Sequence, residues 1–153
     1  MSSTSPQPRF STGSDAAAVE AALAPLLTSN GGRWVLVADG EALERTFKFK
    51  TFAKTWDFMT AVSLQCKLKN HHPEWSNVFN TTFIRWTTHH PKGLSFKDAE
   101  LASICDSLAK DFGEVIEEQQ QPQQEQQGQA CQLPGLVDRA TGSAGDCCVP
   151  RKR

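Results

Sequence analysis

All four histidines of the chain fall within twenty residues, as His71-His72 and His89-His90. Imidazole, with an unperturbed pKa of about 6.5, can give or take a proton near neutral pH. The first pair precedes Pro73, which pushes His72 out of helical conformation. The second pair closes a run rich in Thr and aromatic residues. A helix end and a strand end can meet at one rim of a sheet. Two or three imidazoles around one pocket suit removal of a proton from one atom and delivery to another. Two other readings stand beside this one. Exposed histidines often do no more than face water. Imidazole is also a common zinc ligand, although adjacent histidines rarely both reach one metal. No Cys, Asp or Glu stands at a tight ligand spacing to them.

Other chemical templates are absent or weak. No GxGxxG, phosphate loop or GxSxG elbow occurs. Cys66 and Cys105 stand at core spacing on expected helices and read as inert buried thiols. Cys147 and Cys148 have no nearby His and no CxxC spacing, so they read as incidental. Trp34, Trp56, Trp75 and Trp86 read mostly as core. Trp75, four residues beyond His71, is a candidate for the border of a pocket.

The histidines need elements to hold them. Asp15 to Leu27 is Ala- and Leu-rich and predicts a helix capped by Ser14 or Asp15, with Pro25 weakening its last turn. Trp34 to Val37 predicts a short strand, and Asp39-Gly40 a two-residue hairpin turn. In the next strand Leu43, Arg45, Phe47 and Phe49 face one way, and Glu44, Thr46 and Lys48 the other. Thr51 to Lys69 changes to helical period. One apolar stripe runs through Phe52, Trp56, Met59, Val62 or Ser63, and Cys66, and a second through Phe58, Ala61, Leu64 or Gln65, and Leu68. One stripe should meet the sheet. The other needs a second helix or a neighbouring subunit.

Trp75 to Phe79 and Thr82 to His89 predict two more strands, split at Asn80-Thr81. Ser95 to Asp98 resembles a capping box, with Leu94 and Ala99 as its staple. A last helix runs on to Phe112 and stops at Gly113. The order α-β-β-α-β-β-α predicts an α+β, two-layer fold: a four-stranded antiparallel sheet with its helices packed on one face.

The chain has 153 residues with 16 Lys+Arg against 17 Asp+Glu. That balance excludes a strongly basic nucleic-acid binder or polybasic membrane-surface protein. No apolar run approaches ~20 residues, so no membrane-spanning helix is expected. No signal-peptide pattern opens the chain, and the odd count of five Cys suits a reducing compartment. A cytoplasmic location is expected, with the nucleus or an organelle left open. Residues 1–14, rich in Ser, Thr and Pro, read as a disordered, frayed terminus, or alternatively as a short organellar targeting piece. Residues 15–113 read as the one folded domain, small enough for oligomerisation to help it. Residues 114–153 read as a disordered tail, with 8 Gln in the 13 residues from Glu117 to Gln129.

The texts FMTAVSLQ (Phe58 to Gln65), NHHPEWSNVFN (Asn70 to Asn80) and GLSFKDAELAS (Gly93 to Ser103) carry a signature. Lys67, His71-His72-Pro73, Phe79, His89 and Asp98 stand in register within it. This stretch resembles the pterin-4a-carbinolamine dehydratases, also called 4a-hydroxytetrahydrobiopterin dehydratases, over about Gly32 to Phe112.

The resemblance implies the same fold, and homodimers that pair into tetramers. It implies no metal and no organic cofactor. The implied reaction is dehydration of a 4a-hydroxytetrahydropterin to the quinonoid dihydropterin, in tetrahydropterin recycling. That gives a functional link to the aromatic amino acid hydroxylases that make the carbinolamine. Carried over by position, His71 and His89 are the acid–base residues, and His72 positions the pterin and is a third catalytic candidate. Pro73, Glu74, Trp75, Lys97 and Asp98 are substrate-binding candidates, Asp98 also being the expected cap.

Two departures stand out. Lys67 replaces the Glu of animal members. Four residues before His71 on a helix, it would share that residue's face and depress the imidazole pKa by like charge. Lys97 replaces an Arg, keeping charge but losing bidentate geometry. Two competing roles are an accessory binding module, such as the dimerisation cofactor of a transcription factor, and support of another pterin pathway, such as molybdopterin metabolism. Intact His71, His72 and His89 favour chemistry.

Overall fold

The computed structural model describes residues 6–116. Residues 1–5 and the Gln-rich segment 117–153, with Cys131, Cys147 and Cys148, lie outside the described residues. Three helices, α1 (Ala16–Leu23), α2 (Phe52–Lys69) and α3 (Phe96–Asp111), pack on one side of four strands. The strands are β1 (Val35–Val37), β2 (Ala42–Lys48), β3 (Glu74–Val78) and β4 (Thr81–Trp86), in the antiparallel order β1-β2-β4-β3. This is the expected α+β, two-layer fold. Among the described residues no helix is long and apolar enough to cross a membrane.

The alternation of β2 fixes which face is covered. Leu43, Phe47 and Phe49 are fully buried, with Arg45 nearly so, while Thr46 and Lys48 are exposed. From β4, Ile84 and Trp86 join them against Val19 and Leu23 of α1, Phe58 and Val62 of α2, and Leu101, Ala102 and Cys105 of α3. Burial pushes the Cys105 thiol well above its ordinary range, and the half-buried Cys66 up to about 11. Both thiols are therefore protonated at neutral pH, as inert thiols should be.

Arg45 is the polar exception in this core. It pairs with Asp106 of α3 and, at 2.7 Å, with both oxygens of Glu114, while Trp34 Nε1 donates to the same Asp106 oxygen at 2.9 Å. Burial, opposed by the Arg45 guanidinium, holds the Glu114 carboxyl above its ordinary range. A buried guanidinium needs such partners, because an unpaired one costs several kcal/mol.

Several expected boundaries move. The domain does not end at residue 113: Glu114 holds Arg45, and Val115 N–H donates to the Lys48 carbonyl at 2.8 Å. Residues 6–14 are not a frayed terminus. Arg9 N–H donates to Gly40 O at 2.9 Å, Leu94 N–H to Arg9 O at 2.9 Å, and Ser11 N–H to Leu94 O at 2.8 Å. Ser11 Oγ donates to Pro91 O at 2.7 Å. The strap passes so close to Gly93 (φ 134°) that a Cβ there would meet Ser11 N at 2.6 Å. Its order comes from backbone hydrogen bonds, which a polar composition does not advertise.

The β1–β2 connection is not the two-residue Asp39-Gly40 turn. Val37 pairs with Ala42, leaving four residues, with Ala38 and Asp39 at positive φ. The β3–β4 turn is Phe79-Asn80 rather than Asn80-Thr81, since Val78 pairs with Thr81. Asn80 then donates from its side chain to Phe49 O at 2.8 Å. The first helix stops at Leu23, and Pro25 lies in the 3-10 turn that follows.

Helix α2 is capped by Thr51, whose Oγ1 accepts from Lys54 N–H at 3.2 Å. Its buried face is Thr55, Phe58 and Val62. Trp56 is not core: it is exposed and stacks on exposed Phe52, with Leu64 and Leu68 also exposed. The helix ends where Asn70 takes the left-handed conformation (φ 48°, ψ 52°). An alanine there meets the steric cost of that region, so Asn70→Ala is expected to lower unfolding free energy by about 1 kcal/mol. Asn70→Gly should hold or raise it. Urea titrations of the two variants check this.

Candidate active site

The pairing of β3 with β4 brings the two histidine pairs together. Glu74 at the start of β3 lies opposite Arg85 near the end of β4. The residues just before β3 therefore run beside those just after β4. His71 and His72 come from the turn set by Asn70, whose conformation lets His71 N–H bond back to Cys66 O at 3.1 Å. Thr88 and Gly93 exchange backbone hydrogen bonds at 3.0 and 3.1 Å, closing the loop that carries His89. That closure delivers the chain to Ser95, the N-cap of α3.

Four rings stand in a row. Trp86 and His71 are near parallel (15°, centroids 5.8 Å apart), then His71 and His72 (26°, 6.5 Å), then His72 and His89 (24°, 5.6 Å). The inner ring is sheltered and the outer one open: the His71 side chain is 13% exposed and that of His89 44%.

Asp98 anchors the inner end. It is fully buried at the third position of α3, where its Oδ2 accepts from Ser95 N–H at 2.8 Å, completing the expected capping box. The same oxygen accepts from Thr88 Oγ1 at 2.7 Å and lies 3.0 Å from Ser95 Oγ. The other oxygen, Oδ1, lies 2.6 Å from His71 Nε2. One carboxylate thus fixes a helix start and an imidazole. A carboxylate in this place favours the tautomer with its hydrogen on His71 Nε2, which leaves Nδ1 open.

A cleft of about 560 Å³ opens beside His71, a size that fits a small bicyclic molecule. His71, Thr88, His90 and Lys97 stand on its wall, and Ser14 and Asp15 at the start of α1 close it. Among the described residues no group of three or more His, Cys, Asp or Glu is placed to hold a metal ion.

The expected site residues divide. His71, His72, His89 and Asp98 come together; of the expected residues only His71 and Lys97 stand on the cleft wall, and the histidine of the second pair that lines it is His90 rather than His89. Glu74 is engaged by protein groups, with Oε1 2.9 Å from His89 Nε2 and Oε2 3.3 Å from Arg85. Trp75 pairs with Ile84 and packs against the core, and neither it nor Pro73 lines this cleft. Lys67 is exposed, and the left-handed Asn70 ends the helix before His71. The four-residue helical face relation between Lys67 and His71 therefore does not apply. Sequence reasoning gives Thr88, Trp86 and Arg85 no part in the site. Only the Thr87-Thr88 pair just ahead of His89 offers a signal for the first of them.

Residues 14–108 match the family model for "Pterin 4 alpha carbinolamine dehydratase". A relative from Novosphingobium aromaticivorans, named "Putative pterin-4-alpha-carbinolamine dehydratase", is 45% identical over 75 residues, covering 49% of this chain and 78% of its own. A relative of the same name from Dinoroseobacter shibae is 42% identical over 87 residues, covering 57% and 87%. A crystal structure from Brucella melitensis, named "transcriptional coactivator/pterin dehydratase", aligns at 34% identity with a TM-score of 0.48, over 50% of this chain and 81% of that one.

Proposed function

The chain belongs to the pterin-4-alpha-carbinolamine dehydratase family, and we propose from this that it dehydrates a 4a-hydroxytetrahydropterin by histidine acid–base chemistry. The observation that carries the reading is the His71–His72–His89 row, tied at its inner end to buried Asp98. Hydroxide leaves poorly. The 4a oxygen therefore takes a proton from one imidazole and departs as water. The C4a–O electron pair leaves with it, the N5–H pair forms the C=N bond, and the N5 proton passes to a second imidazole. The product is the quinonoid dihydropterin plus water, and proton exchange with solvent resets both rings. His71 and His89 are the acid–base residues, and His72, between them, positions the pterin.

Lys97 and the Thr88 side of the cleft bind the ring or its substituent beside His71. The substrate comes from hydroxylases that use a tetrahydropterin and release its 4a-carbinolamine. The exposed Phe52, Trp56, Leu64 and Leu68 of α2 support self-association into dimers or tetramers, since one helix seldom leaves so much apolar surface uncovered. The intact histidine row favours this chemistry over a purely accessory binding role.

Titration of the labelled full chain with a stable 7,8-dihydropterin tests the placement. Amide resonances of His71, Thr88, Ser95 and Lys97 are expected to shift together and saturate. Shifts confined to other faces of the fold would contradict it.

A further inference from the structure

The His89 side chain is 44% exposed, and a freely turning acid or base spends little time aimed at its substrate. Its Nε2 lies 2.9 Å from Glu74 Oε1. Glu74 Oε2 is 3.3 Å from Arg85, and Arg85 Nε is 2.5 Å from Glu44 Oε1. Glu44, Arg85 and Glu74 sit side by side on β2, β4 and β3, because Arg85 pairs in register with both carboxylate residues. They lie on the sheet face away from the helices. Their side chains are 17%, 15% and 12% exposed, so this is not an ordinary surface ion pair free to wander. The minus-plus-minus ladder ends on His89.

We propose, on the basis of the dehydratase reading, that Glu74 is the positioning residue of His89, with Arg85 and Glu44 clamping its carboxylate from across the sheet. A carboxylate only accepts, so the facing Nε2 carries the hydrogen. Neutral His89 then presents a bare Nδ1, and that nitrogen takes the substrate proton. The groups facing His89 are Glu74 from β3 and the His72 ring from the turn before β3, with Arg85 of β4 behind Glu74. The ladder fixes both the tautomer and the direction of the ring without touching substrate.

The test uses the full chain with ¹⁵N-labelled histidine. Long-range ¹H–¹⁵N spectra of the wild type are expected to show His89 as the Nε2–H tautomer. In Glu74→Gln the amide can donate as well as accept, so the Nδ1–H tautomer becomes populated. The kcat of that variant should fall about tenfold to hundredfold, part of the ~10²–10⁴-fold that a whole acid or base contributes, with KM within about twofold. Arg85→Met should shift the same signals less, and Arg85→Lys less again.

A wild-type His89 in the Nδ1–H tautomer would overturn the proposal. So would a Glu74→Gln variant that loses thermal stability or kcat while the His89 tautomer stays as in the wild type. If the wild type shows no turnover, the dehydratase reading fails on its own, and the tautomer spectra still decide the positioning role.

Discussion

His71→Ala is expected to lower kcat for carbinolamine dehydration by ~10²–10⁴-fold, the usual contribution of a placed acid or base. Of the three imidazoles in the row, His71 is the sheltered one: it is stacked on Trp86, tied to buried Asp98 and set on the wall of the cleft. Asp98 keeps its Ser95 and Thr88 partners in the variant, so the fold should persist. Circular dichroism confirms that, and stopped-flow absorbance reads the rate. A variant that is folded and within about threefold of the wild type would remove His71 from the chemistry.

The second large effect falls on Asp98, where stability and catalysis share one carboxylate. Asp98→Ala removes the Asp98 half of the α3 capping box and leaves Ser95 as the N-cap. It also strands the Ser95 N–H and the His71 Nε2–H, at about 1–3 kcal/mol for an unsatisfied group, while the Thr88 hydroxyl keeps Ser95 Oγ at 2.8 Å. The expected loss is roughly 2–4 kcal/mol in urea unfolding, together with most of the activity. Asp98→Asn separates the two jobs. Its amide oxygen can still accept from Ser95 N–H, so stability should largely return. The fixed tautomer of His71 should not, because the other amide atom donates. Restored stability with kcat still depressed is the expected pattern. If kcat returned in full with stability, Asp98 would be a cap and nothing more.

Much of this site is legible in the amino-acid sequence. The proline after His72 and the strand ending at His89 mark two chain breaks, and strand pairing brings two such breaks to one rim. The period-2 run of β2 assigns its buried face correctly, down to the inward Arg45. The capping box at Ser95 and Asp98 is also legible, because its partners are three residues apart.

What escapes the sequence depends on distant partners. The strap at residues 6–14 is ordered by backbone bonds to Gly40 and Leu94, which leave no apolar period behind them. Periodicity finds both stripes of α2 but cannot say that Trp56 faces out while Phe58 faces in. The helical relation of Lys67 to His71 fails because one residue, Asn70, takes a left-handed conformation that Asn permits but does not announce. Asp98 reads locally as a cap. Its hold on His71 spans 27 residues and exists only in three dimensions. The Glu44–Arg85–Glu74 ladder is likewise invisible until three strands are placed in register.

The most direct measurement is the initial rate of quinonoid dihydropterin formation from a synthetic 4a-hydroxytetrahydropterin, followed by ultraviolet absorbance, with and without the full chain at the same pH. The account predicts a rate that rises in proportion to protein concentration and saturates with substrate. A folded chain that leaves the rate at its buffer value, at every concentration of protein, would contradict it.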